Sequence, residues 1–129
     1  MIVSIGTDIC SYGRIESVWQ RHGQRFVTRI LSDGERCDFA DLPEVNCAAY
    51  LCKRFAAKEA VGKALGTGIG KGVSWQDIEV RRRQGAAPLV LLHGEARRHA
   101  EAMGVSVIHL SLSDEKDAAL AFVIFEARD

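Results

Sequence analysis

The sequence contains 129 residues, of which 17 are basic and 17 are acidic, and 47% are hydrophobic. A chain of this length and composition forms one domain with a hydrophobic core and leaves no room for a second catalytic domain. Its balanced charge gives no indication of nucleic acid or an anionic membrane as a main partner, and its longest apolar run, residues 118–125, is too short to span a bilayer. The four cysteines form no CxxC pair, and the first residues lack a signal-peptide pattern, so we expect a cytoplasmic protein with reduced thiols.

Hydrophobic periodicity and turn residues predict a helical first half and a strand-rich second half. In chain order the predicted elements are a strand over 2–9, a helical stretch over 14–31, a short helix capped by Ser32 and Glu35, a long helix over 44–65, strands over 77–83 and 88–93, a helix over 95–103, and strands over 105–112 and 118–126. Gly23 can divide the helical stretch in two, and Gly6 suits a strand that must bend or let another group approach closely. The segment 118–126 is apolar on both faces, as in a central strand. These elements predict a single α+β domain with a mainly antiparallel sheet packed on the long helix.

The long helix carries charged residues on and beside its apolar face. Lys58 lies within the apolar sector, Glu59 lies at its edge, and Lys63 follows Glu59 by one turn. One interpretation is purely structural: Glu59 and Lys63 form an ordinary i,i+4 ion pair, and Lys58 extends to solvent. The other is a magnesium site, because Mg²⁺ typically takes one or two carboxylates beside phosphate oxygens and water. Glu59 and Asp8, which lies near the end of the first strand, are the two candidates.

A glycine-rich segment, residues 66–72, separates the two halves. It is not a Walker A motif, because Lys71 is followed by Gly72 and not by serine or threonine. Two interpretations remain open for it: a flexible connector, or a loop that lies against a nucleotide.

Four motifs occur in order along nearly the whole chain: Ile5-Gly6-Thr7-Asp8-Ile9, Arg54-Phe55-Ala56-Ala57-Lys58-Glu59-Ala60, Gly66-Thr67-Gly68-Ile69-Gly70 and Trp75-Gln76-Asp77-Ile78-Glu79. Together they resemble the holo-acyl-carrier-protein synthases, which are short bacterial 4′-phosphopantetheinyl transferases. The resemblance implies transfer of 4′-phosphopantetheine from coenzyme A to a serine of an apo-acyl carrier protein, with Mg²⁺ as cofactor and release of 3′,5′-ADP. It also implies a homotrimer with an active site at each subunit boundary.

The same resemblance assigns roles to individual residues. Asp8 and Glu59 bind Mg²⁺, and Lys63 neutralises phosphate charge. Glu59 accepts the serine proton, either directly or through a bound water, and the sequence leaves these two routes open. Arg54 is a candidate for the 3′-phosphate of coenzyme A, because a guanidinium suits bidentate phosphate contacts, and its alternative is an ordinary solvated arginine. Many relatives have a histidine where this chain has Asp114, and we give this acid no binding role because it would repel phosphate.

A basic face is predicted near the N-terminus. Arg14, Arg21, Arg25 and Arg29 fall within about 80° if residues 14–31 form one helix. By resemblance the first helix docks an acidic helix of the carrier protein, which assigns that role to Arg14, Arg21 and Arg25; the alternative is a solvated helix face. Two competing functions remain: a non-catalytic module that binds an acidic protein, and a nucleotide-binding protein that uses the glycine-rich segment.

Overall fold

A computed structural model describes all residues 1–129, and the chain begins with strand β1 (Ile2–Ser11). The helices of the first half are α1 (Tyr12–His22), α2 (Gln24–Ile30), α3 (Asp33–Ala40) and α4 (Glu44–Leu65). The second half contains a short 3₁₀ helix (Trp75–Asp77), strands β2 (Ile78–Arg81) and β3 (Leu89–Leu92), helix α5 (Gly94–Ala102), and strands β4 (Val107–Asp114) and β5 (Ala118–Glu126).

The main sheet has the strand order β1-β5-β4, and both neighbouring pairs are antiparallel. Strand β5 is therefore central, as its apolar pattern predicted. One face of the sheet packs against α4 and buries the alternate residues of β5: Ala119, Ala121, Val123 and Phe125. Strands β2 and β3 form a separate antiparallel pair. The predicted α+β class, with an antiparallel sheet packed on a long helix, is confirmed.

Gly6 lets the middle of β1 touch the backbone of α4. A Cβ atom at this position would lie 2.0 Å from the carbonyl oxygen of Ala60, which is closer than any side chain can approach. The expectation that Gly6 permits a close approach is confirmed, and the approaching group is the helix itself. This contact sets Asp8 on β1 beside the part of α4 that carries Glu59 and Lys63.

The helical stretch predicted over 14–31 divides at Gly23, which has φ 57° and ψ −134° and ends α1. Residues with a side chain rarely adopt a positive φ, so glycine suits the break. Two of the exposed arginines consequently lie on α1 and two on α2: Arg14 and Arg21, then Arg25 and Arg29. The condition for a single stripe, one continuous helix over residues 14–31, is therefore not met.

Smaller differences concern the ends of strands. Strand β1 continues to Ser11, because its pairing with β5 extends to Ala118. Strands β2 and β3 are shorter than predicted, since residues 82–88 form a turn that is mostly exposed and makes no ladder.

The other face of the main sheet, which points away from α4, is open. Strands β1 and β5 place large apolar side chains there, and each is exposed: Ile5, Ile9, Leu120 and Phe122. Large apolar side chains that share one exposed face are typical of an interaction site. None of the helices combines the length and the apolar character that crossing a membrane requires.

Candidate active site

Asp8, Glu59 and Lys63 form one cluster between β1 and α4, which we call the acid cluster. The ammonium of Lys63 donates to Asp8 Oδ1 at 3.2 Å and to the carbonyl oxygen of Thr7 at 2.9 Å. Asp8 and Lys63 are 55 positions apart in the sequence, so the fold brings them together. The ordinary i,i+4 ion pair of the purely structural interpretation does not form, because the Lys63 ammonium pairs with Asp8 on β1.

The charges of the acid cluster act on one another. Burial raises the pKa of the Glu59 carboxyl, the negative charge of Asp8 raises it further, and Lys63 acts in the opposite direction. Asp8 contacts Lys63, and Lys63 follows Glu59 by about one helical turn, so both carboxylates lie on the same side of α4. The fold thus brings Asp8, Glu59 and Lys63 together.

The donor atoms of the acid cluster suit a hard divalent cation. Two neighbouring carboxylates repel each other, and a cation between them removes that repulsion. The chain contains no group of three or more histidine, cysteine or acidic residues that could hold a metal ion. Mg²⁺ does not need such a group, since it commonly takes one or two carboxylates and completes its octahedron with water and phosphate oxygens. The residues present therefore fit Mg²⁺ in the presence of a phosphorylated substrate.

Lys58, directly before Glu59, does not extend to solvent. Its side chain is 0% exposed, and its ammonium lies 2.6 Å from Glu35 Oε1. The interpretation of Lys58 as a lysine with its charge in water is therefore wrong. Residues on the neighbouring helices and loop enclose it, and helical periodicity alone could not show this.

Arg54 is also buried, with only 3% of its surface exposed, so the alternative of a solvated arginine is wrong. Its guanidinium lies 4.4 Å from the ring centre of Tyr50. The Nε and Nη2 atoms are buried and have no hydrogen-bond partner. A buried guanidinium with unused donors is costly unless an anion completes it, which points to a phosphate or carboxylate ligand.

A cavity of about 520 Å³ opens beside Arg54, between α4, the β2–β3 turn and the end of β4. Its cationic residues are Lys53, Arg54, Arg82 and Arg83, and we call it the cationic cavity. Of these four cations, only Arg54 was predicted from the sequence as a phosphate ligand. The run of three arginines at positions 81–83 beside a predicted turn was the available signal for the others.

Asp114 lies on the rim of the cationic cavity. Its Oδ2 atom is 3.0 Å from Lys53 Nζ and accepts a hydrogen bond from the Tyr12 hydroxyl at 3.4 Å. Lys53 holds the pKa of Asp114 below its usual range through a hydrogen bond and its charge. The negative charge of Asp114 is thus paired with Lys53.

The acid cluster and the cationic cavity lie on different sides of α4. Arg54 and Glu59 are five residues apart, so their side chains leave the helix about 140° apart. A single ligand of extended shape does not reach both from one chain without passing around the helix.

A second concavity, of about 370 Å³, lies between α1, α2, α4 and the 3₁₀ helix. We call it the helical groove. Its apolar residues are Val18, Phe26, Ile30, Phe55 and Trp75, and its cationic residues are Arg25 and Arg29, with His22 beside them. Arg14 and Arg21 are exposed on α1, outside its lining. An apolar floor with a basic rim is complementary to an amphipathic, acidic helix.

Comparison with known proteins identifies the class. The family model for the 4′-phosphopantetheinyl transferase superfamily matches residues 4–123. Holo-[acyl-carrier-protein] synthase of Alkalilimnicola ehrlichii is 48% identical over 129 residues, which are 100% of both chains, and that of Vibrio campbellii is 48% identical over 98% of both. The chain belongs to the 4′-phosphopantetheinyl transferase superfamily.

Solved structures narrow this class further. The synthase of Neisseria meningitidis has a TM-score of 0.88 at 42% identity, covering 98% of this chain and 99% of that one. The synthase of Bacillus anthracis, in complex with CoA (3′,5′-ADP), has a TM-score of 0.82 at 39% identity over 99% of both chains. The synthase of Helicobacter pylori, in complex with coenzyme A, has a TM-score of 0.80 at 32% identity, covering 95% of this chain and 99% of that one. Within the superfamily the chain is an enzyme of the holo-[acyl-carrier-protein] synthase type.

Proposed function

We propose that this chain transfers 4′-phosphopantetheine from coenzyme A to a serine of apo-acyl carrier protein, in a Mg²⁺-dependent reaction that releases 3′,5′-ADP. The observation that carries the proposal is the acid cluster, which combines two carboxylates for a divalent cation with an ammonium for a phosphate. The coenzyme A complexes of the Bacillus anthracis and Helicobacter pylori synthases support the choice of donor. The four free cysteines agree with a cytoplasmic site of action.

In the proposed reaction the serine oxygen bonds to the phosphorus that carries the pantetheine arm, and the bond from that phosphorus to the ADP oxygen breaks. Asp8 and Glu59 would hold Mg²⁺, which supplies charge stabilisation to the diphosphate when bound. Lys63 neutralises phosphate charge, and Glu59 accepts the serine proton.

The cationic cavity is the proposed site for the ADP half of coenzyme A. Arg54 offers unused donors from a buried position, which suits bidentate contact with the 3′-phosphate. Lys53, Arg82 and Arg83 surround it with positive charge. The 3′-phosphate of coenzyme A is a monoester that carries nearly two negative charges near neutral pH. The cationic cavity should therefore bind coenzyme A more tightly than an analogue that lacks this phosphate.

We infer that the working enzyme is a homotrimer. Since Arg54 and Glu59 face different sides of α4, one molecule of coenzyme A can contact both if the cationic cavity of one subunit meets the acid cluster of another. The open apolar face of the main sheet, on β1 and β5, provides a surface through which copies of the chain associate.

The carrier protein is proposed to dock at the helical groove and at the exposed arginines beside it. Arg25 lines the groove, and Arg14 and Arg21 extend the positive surface along α1. Acyl carrier proteins are acidic, so opposite charges guide the encounter while the apolar floor receives a side chain of the carrier. Phe55, on the floor, is one helical turn before Glu59, so docking there brings the carrier close to the acid cluster.

Charge reversal tests this docking surface. Arg25→Glu is expected to raise the KM for the carrier by about 10-fold and leave the KM for coenzyme A unchanged, because an acid would then face the acidic carrier. Steady-state kinetics with each substrate varied in turn measures both values. The matched control is Arg97→Glu on α5, an exposed position outside the groove and the cavity, where both KM values should stay within about twofold. An unchanged carrier KM for Arg25→Glu would contradict the assignment.

The proposed reaction as a whole has a direct test. Incubation of the purified protein with apo-carrier, coenzyme A and Mg²⁺ is expected to raise the carrier mass by one phosphopantetheinyl group, and a chelator should stop the gain. Intact-protein mass spectrometry measures the product, and chromatography measures the released 3′,5′-ADP. Carrier that binds but never gains mass, with any divalent metal, would replace the proposal by the non-catalytic binding module.

A further inference from the structure

The ammonium of Lys58 is the centre of a buried hydrogen-bond network. It donates to the carbonyl oxygen of Ile30 at 2.7 Å, to Glu35 Oε1 at 2.6 Å and to the carbonyl oxygen of Trp75 at 3.0 Å. An ammonium has three N–H donors, so all of them are used. One side chain of α4 thereby joins the end of α2, the start of α3 and the 3₁₀ helix.

The partner carboxylate is fixed by further backbone groups. Glu35 Oε1 accepts from the amide of Ser32 at 2.8 Å, and Oε2 accepts from the amide of Val80 at 2.7 Å. Burial lowers the pKa of Lys58, and the adjacent carboxylate of Glu35 acts against that effect. The network is therefore fully paired, which a buried pair of charges requires.

Two of the groups that Lys58 holds belong to the walls of the helical groove. Ile30 and Trp75 both line it, and the ring of Trp75 stacks on Phe55 with 4.9 Å between ring centres. The carbonyl oxygens of Ile30 and Trp75 come from two segments that are distant in the sequence, and Lys58 fixes both at once. None of its three partners lines the cationic cavity.

We propose that Lys58 is a positioning residue for the carrier protein, because its ammonium sets the distance between the two walls of the helical groove. The inference rests on the proposed function, since the groove receives a carrier only if a carrier is the substrate. A buried lysine would then affect the binding of the carrier protein and not the binding of coenzyme A.

A role in stability alone gives a different expectation. Replacing a buried ion pair by apolar groups is often neutral for stability, so the network is weak evidence for a stabilising purpose. A general loss of stability would lower the amount of active enzyme, which lowers the apparent kcat and leaves both KM values unchanged. A change in the groove alters the KM for the carrier and leaves the KM for coenzyme A in place.

The test uses Lys58→Met, which keeps an unbranched chain of similar length and removes the ammonium. The KM for the carrier is expected to rise about 10-fold, with the KM for coenzyme A and the kcat within about twofold of the wild type. Steady-state kinetics of the full-length enzyme, with carrier and coenzyme A varied in turn, measures all three. An unchanged carrier KM, or an equal rise in both KM values, overturns the inference.

A second variant separates an effect on the geometry of the helical groove from an effect on the stability of the fold. Lys58→Met with Glu35→Gln removes the unpaired charge, so its unfolding temperature should recover towards the wild type while its carrier KM stays high. Recovery of the carrier KM together with stability would overturn the inference. Leu110→Ala, in the core on β4 and outside the groove, is the matched control: it should lower the unfolding temperature and leave the carrier KM unchanged.

The two proposals fail in different ways. If the wild-type enzyme leaves the carrier unmodified, the proposed function is wrong, and the inference falls with it. If the wild type modifies the carrier and Lys58→Met keeps the same carrier KM, only the role of Lys58 is wrong.

Discussion

Glu59→Gln is expected to lower the rate of carrier modification by about 10³-fold or more at saturating coenzyme A and Mg²⁺. The amide cannot accept the serine proton, and it is a poorer ligand for a hard cation than the carboxylate. Asp8→Asn removes one proposed metal ligand and keeps the proton acceptor, so we expect a higher Mg²⁺ requirement and a smaller loss of rate. The initial rate of carrier mass gain across a Mg²⁺ titration measures both effects.

The fold should survive these changes. Burial and the negative charge of Asp8 both raise the pKa of the Glu59 carboxyl, so removing its charge is not expected to lower the unfolding temperature. Glu101→Gln, at an exposed position on α5, is the control for loss of a carboxylate and should keep the wild-type rate. A Glu59→Gln enzyme that retained more than about a tenth of that rate would exclude Glu59 as the proton acceptor.

Elements that depend on local signals were predictable from the sequence. The capping pattern of Ser32 and Glu35 appears in the structure with both of its hydrogen bonds. The long helix ends at Gly66, as its glycine predicted. Gly66 has a φ of 81°, which glycine adopts without strain. The central position of β5 followed from an apolar pattern on both faces.

The burial of the charged residues could not be predicted in the same way. Helical spacing places Lys58 and Arg54 on particular faces of α4, but it does not show which elements cover those faces. Lys58 is enclosed because α2, α3 and the 3₁₀ helix meet there, and these contacts link distant parts of the sequence. The Glu35 side chain serves both as a local cap and as the partner of Lys58, and only the cap leaves a local signal.

The acid cluster was predictable only through the family resemblance. Periodicity put Asp8 at a strand end and Glu59 at the edge of a helix face, and neither fact requires that they meet. The structure supplies the reason, because Gly6 brings the strand against the helix backbone at Ala60. The cationic residues beside Arg54 were missed, since the β2–β3 turn folds towards α4 only in the complete domain.

The separation of Arg54 from Glu59 around α4 predicts that two impaired variants restore activity to each other when they are combined in one oligomer. Arg54→Met should lower activity by about 10- to 100-fold at low coenzyme A, because charge-assisted hydrogen bonds to a phosphate are lost. Glu59→Gln is expected to lose nearly all activity for the reason given above. If each active site combines Arg54 of one subunit with Glu59 of the next, trimers that contain both variants regain one intact site.

The expected recovery can be calculated from the symmetry of the ring. In a cyclic trimer every mixed assembly pairs an intact Arg54 with an intact Glu59 at one of its three sites, so about a third of the sites in purified mixed trimers should be intact. In the unfractionated mixture, assembled at random from equal amounts of the two variants, the fraction is about a quarter. Co-expression of the two variants with different affinity tags, followed by purification on both tags, isolates the mixed trimers. Their rate at low coenzyme A, compared with that of each parent variant, measures the recovery.

The alternative arrangement predicts a different result. If one chain supplied both Arg54 and Glu59 to the same site, every subunit in the mixture would carry one defect, and the activity would not exceed that of the parents. The oligomeric state, measured by sedimentation, separates this outcome from a failure to form mixed trimers. Recovery in mixed trimers would show that the two sides of α4 serve different active sites. The separation of Arg54 from Glu59 by about 140° around the helix would then be the reason that the enzyme is active only as an oligomer.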